Sequence, residues 1–289
     1  MTVNSKPRPD ARPHARKGRE PHPSLLIDRV LFIDGEALVI DKPAGLPVDP
    51  PRDGSLSMEN HFAGLTFGFA RQPVAVHRLD RDTSGCLLLA RNPKAAARFT
   101  AAFEARQVGK TYLAILDGIP EETEGTIDIP LGKTSTREEG WRMVPDPKGK
   151  SAVTHWQVLA AREVAGQGRA LIRFTPETGR THQLRAHALH GLGIGILGDP
   201  VYHHPRVEGE SAENAWTARL LLHARRLTVQ REGKPPVDAI AAVPPAFATA
   251  GFSDAEELDV QVLDDQTVAA HAEGDDEADD IQTAPPGTS

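Results

Sequence analysis

The chain has 289 residues, 39% of them hydrophobic and 25% charged, which is enough apolar material for one large or two small packed cores and too much for a wholly disordered polymer. A single cysteine, Cys86, excludes an intramolecular disulfide framework, and no stretch approaches the roughly 18 apolar residues of a membrane span. The formal charge of −7 is an effect of the ends: residues 254–289 hold twelve acids and no lysine or arginine, whereas the first 24 residues hold six basic and two acidic side chains, so the middle is close to neutral.

Residues 1–24 are rich in proline and arginine and poor in large apolar side chains. They cannot bury enough surface to offset the entropy of ordering and are predicted to be a disordered basic arm. This start also lacks the apolar centre of a secretory leader, so a cytoplasmic location is expected. One folded domain is predicted over 25–252, followed by an acidic, disordered tail over 253–289.

Within the domain, Val30 to Asp34 and Ala37 to Asp41 are short apolar runs around an Asp34-Gly35 turn, the pattern of a hairpin. Cys86 sits in the apolar run CLLLA, predicted as a strand over 86–90 with a buried, inert thiol. Asn92 as cap, Pro93 in the first turn, apolar spacing through Ala96, Phe99 and Phe103, and Gly109 soon after predict a helix over 93–106, with a second strand at 111–116. Ala170, Ile172 and Phe174 alternate with Leu171, Arg173 and Thr175 as a strand does, and Thr181 to His190 before Gly191 reads as a short helix. Two further strands are expected near 222–230 and 237–242, separated by the REGKPP turn. This order lacks the regular strand-helix cadence of a doubly wound sheet and predicts an α+β domain.

Two polar clusters could carry chemistry. The first, HRLDRDTSG at 77–85, has one apolar member in nine and belongs on a loop between two apolar stretches. Asp80 lies there between Arg78 and Arg81, where its ionised form is favoured, as a nucleophile or base requires. An arbitrary Arg-Asp loop is more often a solvated turn. The second, TGRTHQLRAH at 178–187, follows a strand and opens a helix. Arg185 is three residues after His182 and four after Thr181, so these share a face, and Arg180 adds charge where free backbone N–H groups already favour anions. Tyr112, one of two tyrosines, is a candidate stacking platform.

Other chemistries fit poorly. The histidines do not form H-E-x-x-H and have no cysteine partners, so no metal is expected. No G-x-S-x-G is present, and no glycine-rich phosphate loop or dinucleotide fingerprint implies a cofactor.

Together these stretches resemble the RluA-type pseudouridine synthase family. The resemblance rests on DKPAGLPV at 41–48, HRLDRDTSG at 77–85, KTYLAIL at 110–116, GRTHQLRAH at 179–187 and GDPVY at 198–202, in that order. It implies the pseudouridine synthase fold, a mixed, largely antiparallel central sheet with flanking helices and loops, and isomerisation of uridines in tRNA or rRNA without metal or cofactor. It implies that Asp80 is the catalytic aspartate, that Tyr112 contacts the flipped base, and that Arg185, with Arg180 nearby, supplies supporting charge. Arg78, His77 and His182 are implied RNA contacts, Arg78 by entering the stack in place of the extruded nucleotide. The partner expected is RNA, with no membrane and nothing demanding more than a monomer. Two alternatives use the same residues: a noncatalytic RNA-binding or RNA-folding factor, and a hydrolase of a nucleoside-like substrate with Asp82 as second carboxylate.

Overall fold

A computed structural model describes residues 24–137, 140–203 and 219–261. After a one-turn helix α1 (Ser24–Ile27), the Asp34-Gly35 turn joins β1 (Val30–Ile33) to β2 (Ala37–Lys42) as an antiparallel hairpin. Asp34 shapes the turn by accepting the backbone N–H groups of Glu36 and Ala37, both at 2.8 Å. A 3-10 segment (Met58–Leu65), β3 (Val74–Ala75) and β4 (Ser84–Ala90) follow. Helix α2 (Pro93–Glu104) starts where its signals place it, the Asn92 side chain accepting the Ala95 N–H at 2.9 Å. Next come β5 (Val108–Leu116), β6 (Glu124–Asp128), β7 (Leu131–Thr136), β8 (Gly140–Pro145), β9 (Val153–Val164), β10 (Gln167–Pro176) and α3 (Gln183–Gly191). Strands β11 (Leu222–Arg231) and β12 (Lys234–Ile240) and the short helix α4 (Pro245–Thr249) complete the named elements.

Ten strands form one mixed, mostly antiparallel sheet in the order β1-β2-β4-β11-β5-β10-β9-β6, with β3 attached to β4 and β12 to β11. Its parallel contact is short: His223 and Ala224 of β11 run beside Ser84 and Gly85 of β4. Both faces are covered, which is why the strands read as near-continuous apolar runs. In one half, Val39, Cys86 and Leu88 pack on Ala95 and Phe99 of α2, while Leu38, Leu87 and Leu89 pack on Met58, Phe62 and Leu65 of the 3-10 segment. In the other, Ala170, Ile172 and Phe174 meet Leu184 and Ala188 of α3, while Leu171 meets Phe247 and Phe252. Cys86 is buried as expected, and burial pushes its thiol up to about 12. Strands β7 and β8 form a separate hairpin.

The structured chain passes the expected boundary at 252. Residues 255–261 are helical, and the carboxylate of Asp259, fully buried, bridges Arg173 of β10 at 2.7 Å and Arg225 of β11 at 2.9 Å. Two buried arginines on β10 and β11, the strands that flank β5, need a buried anion, and this early part of the acidic stretch supplies it. The predicted arm, apart from Ser24, and residues 262–289 of the predicted tail lie outside the described residues. Among the described residues no helix is long and apolar enough to cross a membrane.

Candidate active site

The loop carrying Asp80 leaves β3 and enters β4, and three contacts fix it. Leu79 is buried with the 3-10 segment in the apolar cluster beneath. Gly85 has φ +104°, and a Cβ there would lie 2.2 Å from the Ala224 carbonyl oxygen, so the glycine permits the close approach of β4 to β11. Beside it, Ser84 Oγ lies 2.8 Å from His223 Nδ1, while His223 Nε2 faces the Ala241 carbonyl at 3.4 Å. The carbonyl can only accept, so Nε2 carries the proton and Ser84 donates to Nδ1. Burial pulls His223 down to about 4.

The third brace comes from the loop after β2. Lys42 is fully buried, and its Nζ donates to the carbonyls of Leu46 at 2.8 Å, Pro43 at 2.9 Å and Arg81 at 3.0 Å. Three N–H donors thus meet three acceptors. The Gly45 N–H reaches the same Arg81 carbonyl at 2.9 Å, and Arg81 Nε returns a bond to the Gly45 carbonyl at 3.2 Å. Burial pulls the Lys42 ammonium down to about 8, against the attraction of Asp82, Asp80 and Asp41.

Asp80 itself keeps 26% of its side chain exposed and meets Arg185 Nη1 at 3.3 Å and His182 Nε2 at 3.8 Å. Arg185, only 6% exposed, is held more tightly on its other side, where Nε and Nη2 donate to Asp199 at 2.7 and 2.8 Å. Asp199 is capped in turn by the backbone N–H groups of Val201 at 2.8 Å and Tyr202 at 3.0 Å. Burial works against its ionisation, but the hydrogen bonds and charge of Arg185 and these N–H groups hold its carboxyl below the usual range. The Tyr202 ring lies 5.0 Å from the Arg185 guanidinium carbon, and its hydroxyl accepts the Met143 N–H at 2.8 Å and lies 3.1 Å from His182 Nδ1. The Asp80 carboxylate facing Nε2 at 3.8 Å can only accept, so the neutral ring carries its proton on Nε2 and the Tyr202 hydroxyl donates to Nδ1. That tautomer puts the His182 N–H on the Asp80 side.

Helix α3 begins at Gln183, two residues later than its expected start at Thr181, and His182 is a left-handed cap residue with φ 53°. His182 therefore reaches Asp80 through a turn of the backbone instead of by helical spacing. Gln183 explains the shift: its Oε1 accepts from Thr178 Oγ1 at 2.7 Å and from the Arg180 N–H at 2.9 Å. Its Nε2 donates to the Val153 carbonyl at 3.0 Å and to Thr154 Oγ1 at 2.9 Å. His187 continues this network, bonding Thr154 at 2.9 Å and the Ile129 carbonyl at 3.1 Å.

Asp80, Thr178, Arg180, His182, Gln183 and Arg185 line a cleft of about 820 Å³. Tyr112, half-buried on β5, packs against the apolar clusters of both halves of the sheet and so sits at their junction, facing the same cleft as Asp80. Burial, then the charge of Asp80, pushes its phenol above the ordinary value, so it stays protonated. The remaining sequence-predicted residues are spread around the rim. Arg78 is 68% exposed and pairs with Asp49 at 3.0 Å. Arg180 donates Nε to the Ser151 carbonyl at 2.9 Å. His77 lines the wall, with Nε2 accepting the Leu88 N–H at 2.9 Å and its ring stacked on Phe103 at 4.5 Å. Burial, then Lys110, holds it down to about 3, so it brings shape and no charge to the cleft. Lys42, Asp199, Tyr202 and His223 were not singled out from sequence. The first three fall inside DKPAGLPV and GDPVY, but a motif does not say which distant group each one meets. Among the described residues no cluster of His, Cys, Asp and Glu could hold a metal.

A family model described as RNA pseudouridylate synthase matches residues 36–190, a span that contains Asp80, Tyr112 and Arg185. The chain belongs to the RluA-type pseudouridine synthases. It is 57% identical over 228 residues to an uncharacterised RNA pseudouridine synthase of Zymomonas mobilis, covering 79% of this chain and 99% of that one. It is 36% identical over 211 residues to ribosomal large subunit pseudouridine synthase D of the same organism, covering 68% of this chain and 63% of the relative. Among solved structures, human RNA pseudouridylate synthase domain containing 4 superposes with a TM-score of 0.64 at 30% identity, covering 78% of this chain and 92% of the human one. This pseudouridine synthase is thus an isomerase, and the sheet order above is the scaffold on which its cleft is built.

Proposed function

We propose that this pseudouridine synthase isomerises specific uridines of tRNA or ribosomal RNA, with Asp80 acting at the ribose of a uridine everted into the cleft. One observation carries the reading: a carboxylate on a loop fixed by three contacts sits in the cleft beside a buried arginine and faces it together with an aromatic ring. In the reaction the C1′–N1 bond breaks, the uracil turns, and C1′ joins C5. The C5 proton leaves to solvent and N1 takes one up. A base inside a helix hides that bond, so it must be unstacked at a cost of about a few kcal/mol. A cleft of about 820 Å³ has room for a nucleoside. Asp80 can either add to C1′ or remove a ribose proton, and both require its oxygen at the sugar. Arg185 steadies the carboxylate, His182 offers an N–H on the same side, and the protonated Tyr112 presents a ring to the base.

The test is release of tritium from RNA carrying 5-tritiated uridine. Purified protein is expected to release tritium from tRNA or large-subunit rRNA transcripts, and Asp80→Asn to release none while still binding RNA. No release from either transcript, or equal release by Asp80→Asn, would end the proposal.

A further inference from the structure

The cleft extends beyond Asp80 toward the C-terminal end of α2, where its lining includes Phe103, Arg106 and Lys110. None of these three acts in the scheme above. Lys110 and Tyr112 are two residues apart on β5, so their side chains leave the same face of the strand about 7 Å apart. Lys110 is half-buried, and among the described residues neither it nor Arg106 makes an ion pair. Burial and then the charge of Arg106 lower the Lys110 pKa, so two like charges stand near each other, with Glu104, two residues before Arg106, lining the same end of the cleft.

The backbone at Arg106 adds an independent observation. Helix α2 ends in a Schellman motif: the Arg106 N–H bonds the Phe103 carbonyl at 3.2 Å and the Gln107 N–H bonds the Ala102 carbonyl at 2.9 Å. The residue at the turn of that motif must be left-handed, and Arg106 has φ 59°. Glycine meets this requirement without strain and is the usual occupant. An arginine kept in a strained conformation at the rim of a cleft, beside an unpaired lysine, points to a role for its charge.

We propose that Arg106 and Lys110 form a phosphate-binding arm that grips the RNA backbone next to the everted uridine. The proposal rests on the RNA-isomerase reading and deepens it, because it says where the strand leaves the cleft. A phosphate placed there would meet two cations and offset the repulsion between Lys110 and Arg106.

Arg106→Gly separates this role from a structural one, since the two push in opposite directions. The variant is expected to melt at or above the temperature of the parent. Its dissociation constant for labelled tRNA or large-subunit rRNA transcripts should rise about tenfold. The slope of log Kd against log salt should shrink by roughly 0.7 to 0.9. Lys110→Met should weaken binding and reduce the slope in the same way, Lys110→Arg should restore both, and KM should rise far more than kcat falls. Parental Kd and salt slope in both Arg106→Gly and Lys110→Met would overturn the phosphate arm. A parent protein that binds RNA without releasing tritium would instead sink the isomerase reading, and the salt slopes would still decide this one.

Discussion

Arg185 holds Asp199 with two short hydrogen bonds at 2.7 and 2.8 Å and reaches Asp80 with a single longer one at 3.3 Å. The arginine is therefore positioned by a carboxylate that is not exposed to the cleft, and the cleft-facing carboxylate receives only its spare donor. Asp80 can move toward a sugar without Arg185 losing its place.

Asp199→Asn is the change that exposes this arrangement. It leaves a buried guanidinium with its main partner neutralised, and removing one side of a buried pair costs about 3 to 5 kcal/mol. The expected result is a lower melting temperature together with a large fall in kcat, although Asp199 need not touch substrate. Urea unfolding and tritium release measured on the same preparation check it. A variant with normal turnover would show that Arg185 is held adequately by Tyr202 and Asp80.

Tyr112→Phe keeps the ring that faces the cleft and removes a hydroxyl that stays protonated. Turnover should fall roughly tenfold or less, against a loss on the order of a thousandfold or more for Asp80→Asn. Tyr112→Leu, which removes the ring face, should be far worse than Tyr112→Phe. Equal losses in Tyr112→Phe and Asp80→Asn would assign the hydroxyl, not the ring, to the chemistry.

Lys42→Met removes the plug under the Asp80 loop, takes the ammonium donor from the Pro43 and Leu46 carbonyls, and leaves the Arg81 carbonyl with the Gly45 N–H. At about 1 kcal/mol or more for each of the two carbonyls that lose their donor, the variant should lose about 2 kcal/mol of stability. Its remaining folded fraction should turn over slowly, because the Arg81 carbonyl anchors the loop one residue past Asp80. Thermal melting and single-turnover rates, compared with those of an exposed control such as Lys148→Met, read both effects.

His223 makes stability depend on acidity. In the unfolded chain a histidine takes up its proton near 6.5, but burial keeps this one neutral down to about 4. Between those values the unfolded state binds more protons, so stability falls as pH drops from about 6.5 toward 4 and is flat above. The slope attributable to this residue approaches 1.4 kcal/mol per pH unit inside that window. His77, held down to about 3, acts with the same sign. Urea midpoints at pH 7, 6 and 5 should fall in order, and His223→Gln should show a shallower fall even if it starts lower.

Local signals were legible where one stretch of chain settles its own structure. The Asp34-Gly35 turn, the Asn92 cap of α2 and the alternation of Ala170, Ile172 and Phe174 all became the predicted elements. The matched motifs also pointed to Asp80 and Arg185, which lie 105 residues apart and meet in the cleft. What stayed hidden depends on distant pairing. Lys42 reads as an ordinary lysine before proline until the Arg81 carbonyl arrives above it. Asp259 reads as one more acid in a solvated tail until Arg173 and Arg225 are seen to face it from the two strands that flank β5. Strands β7 and β8, with the sequences LGKTST and GWRMVP, lack apolar alternation because they form a hairpin outside the main sheet.

The place of β11 in the sheet has a consequence for how the enzyme comes into being. Among the described strands it comes after all of its sheet partners except β12 in the chain, yet it lies between β4 and β5, with earlier strands on either side. Until it emerges from the ribosome, the segment bearing Asp80 and the segment bearing Tyr112 belong to separate hydrogen-bonded blocks. Activity should thus be switched on late and abruptly during translation, when the nascent chain inserts this one strand and closes the seam.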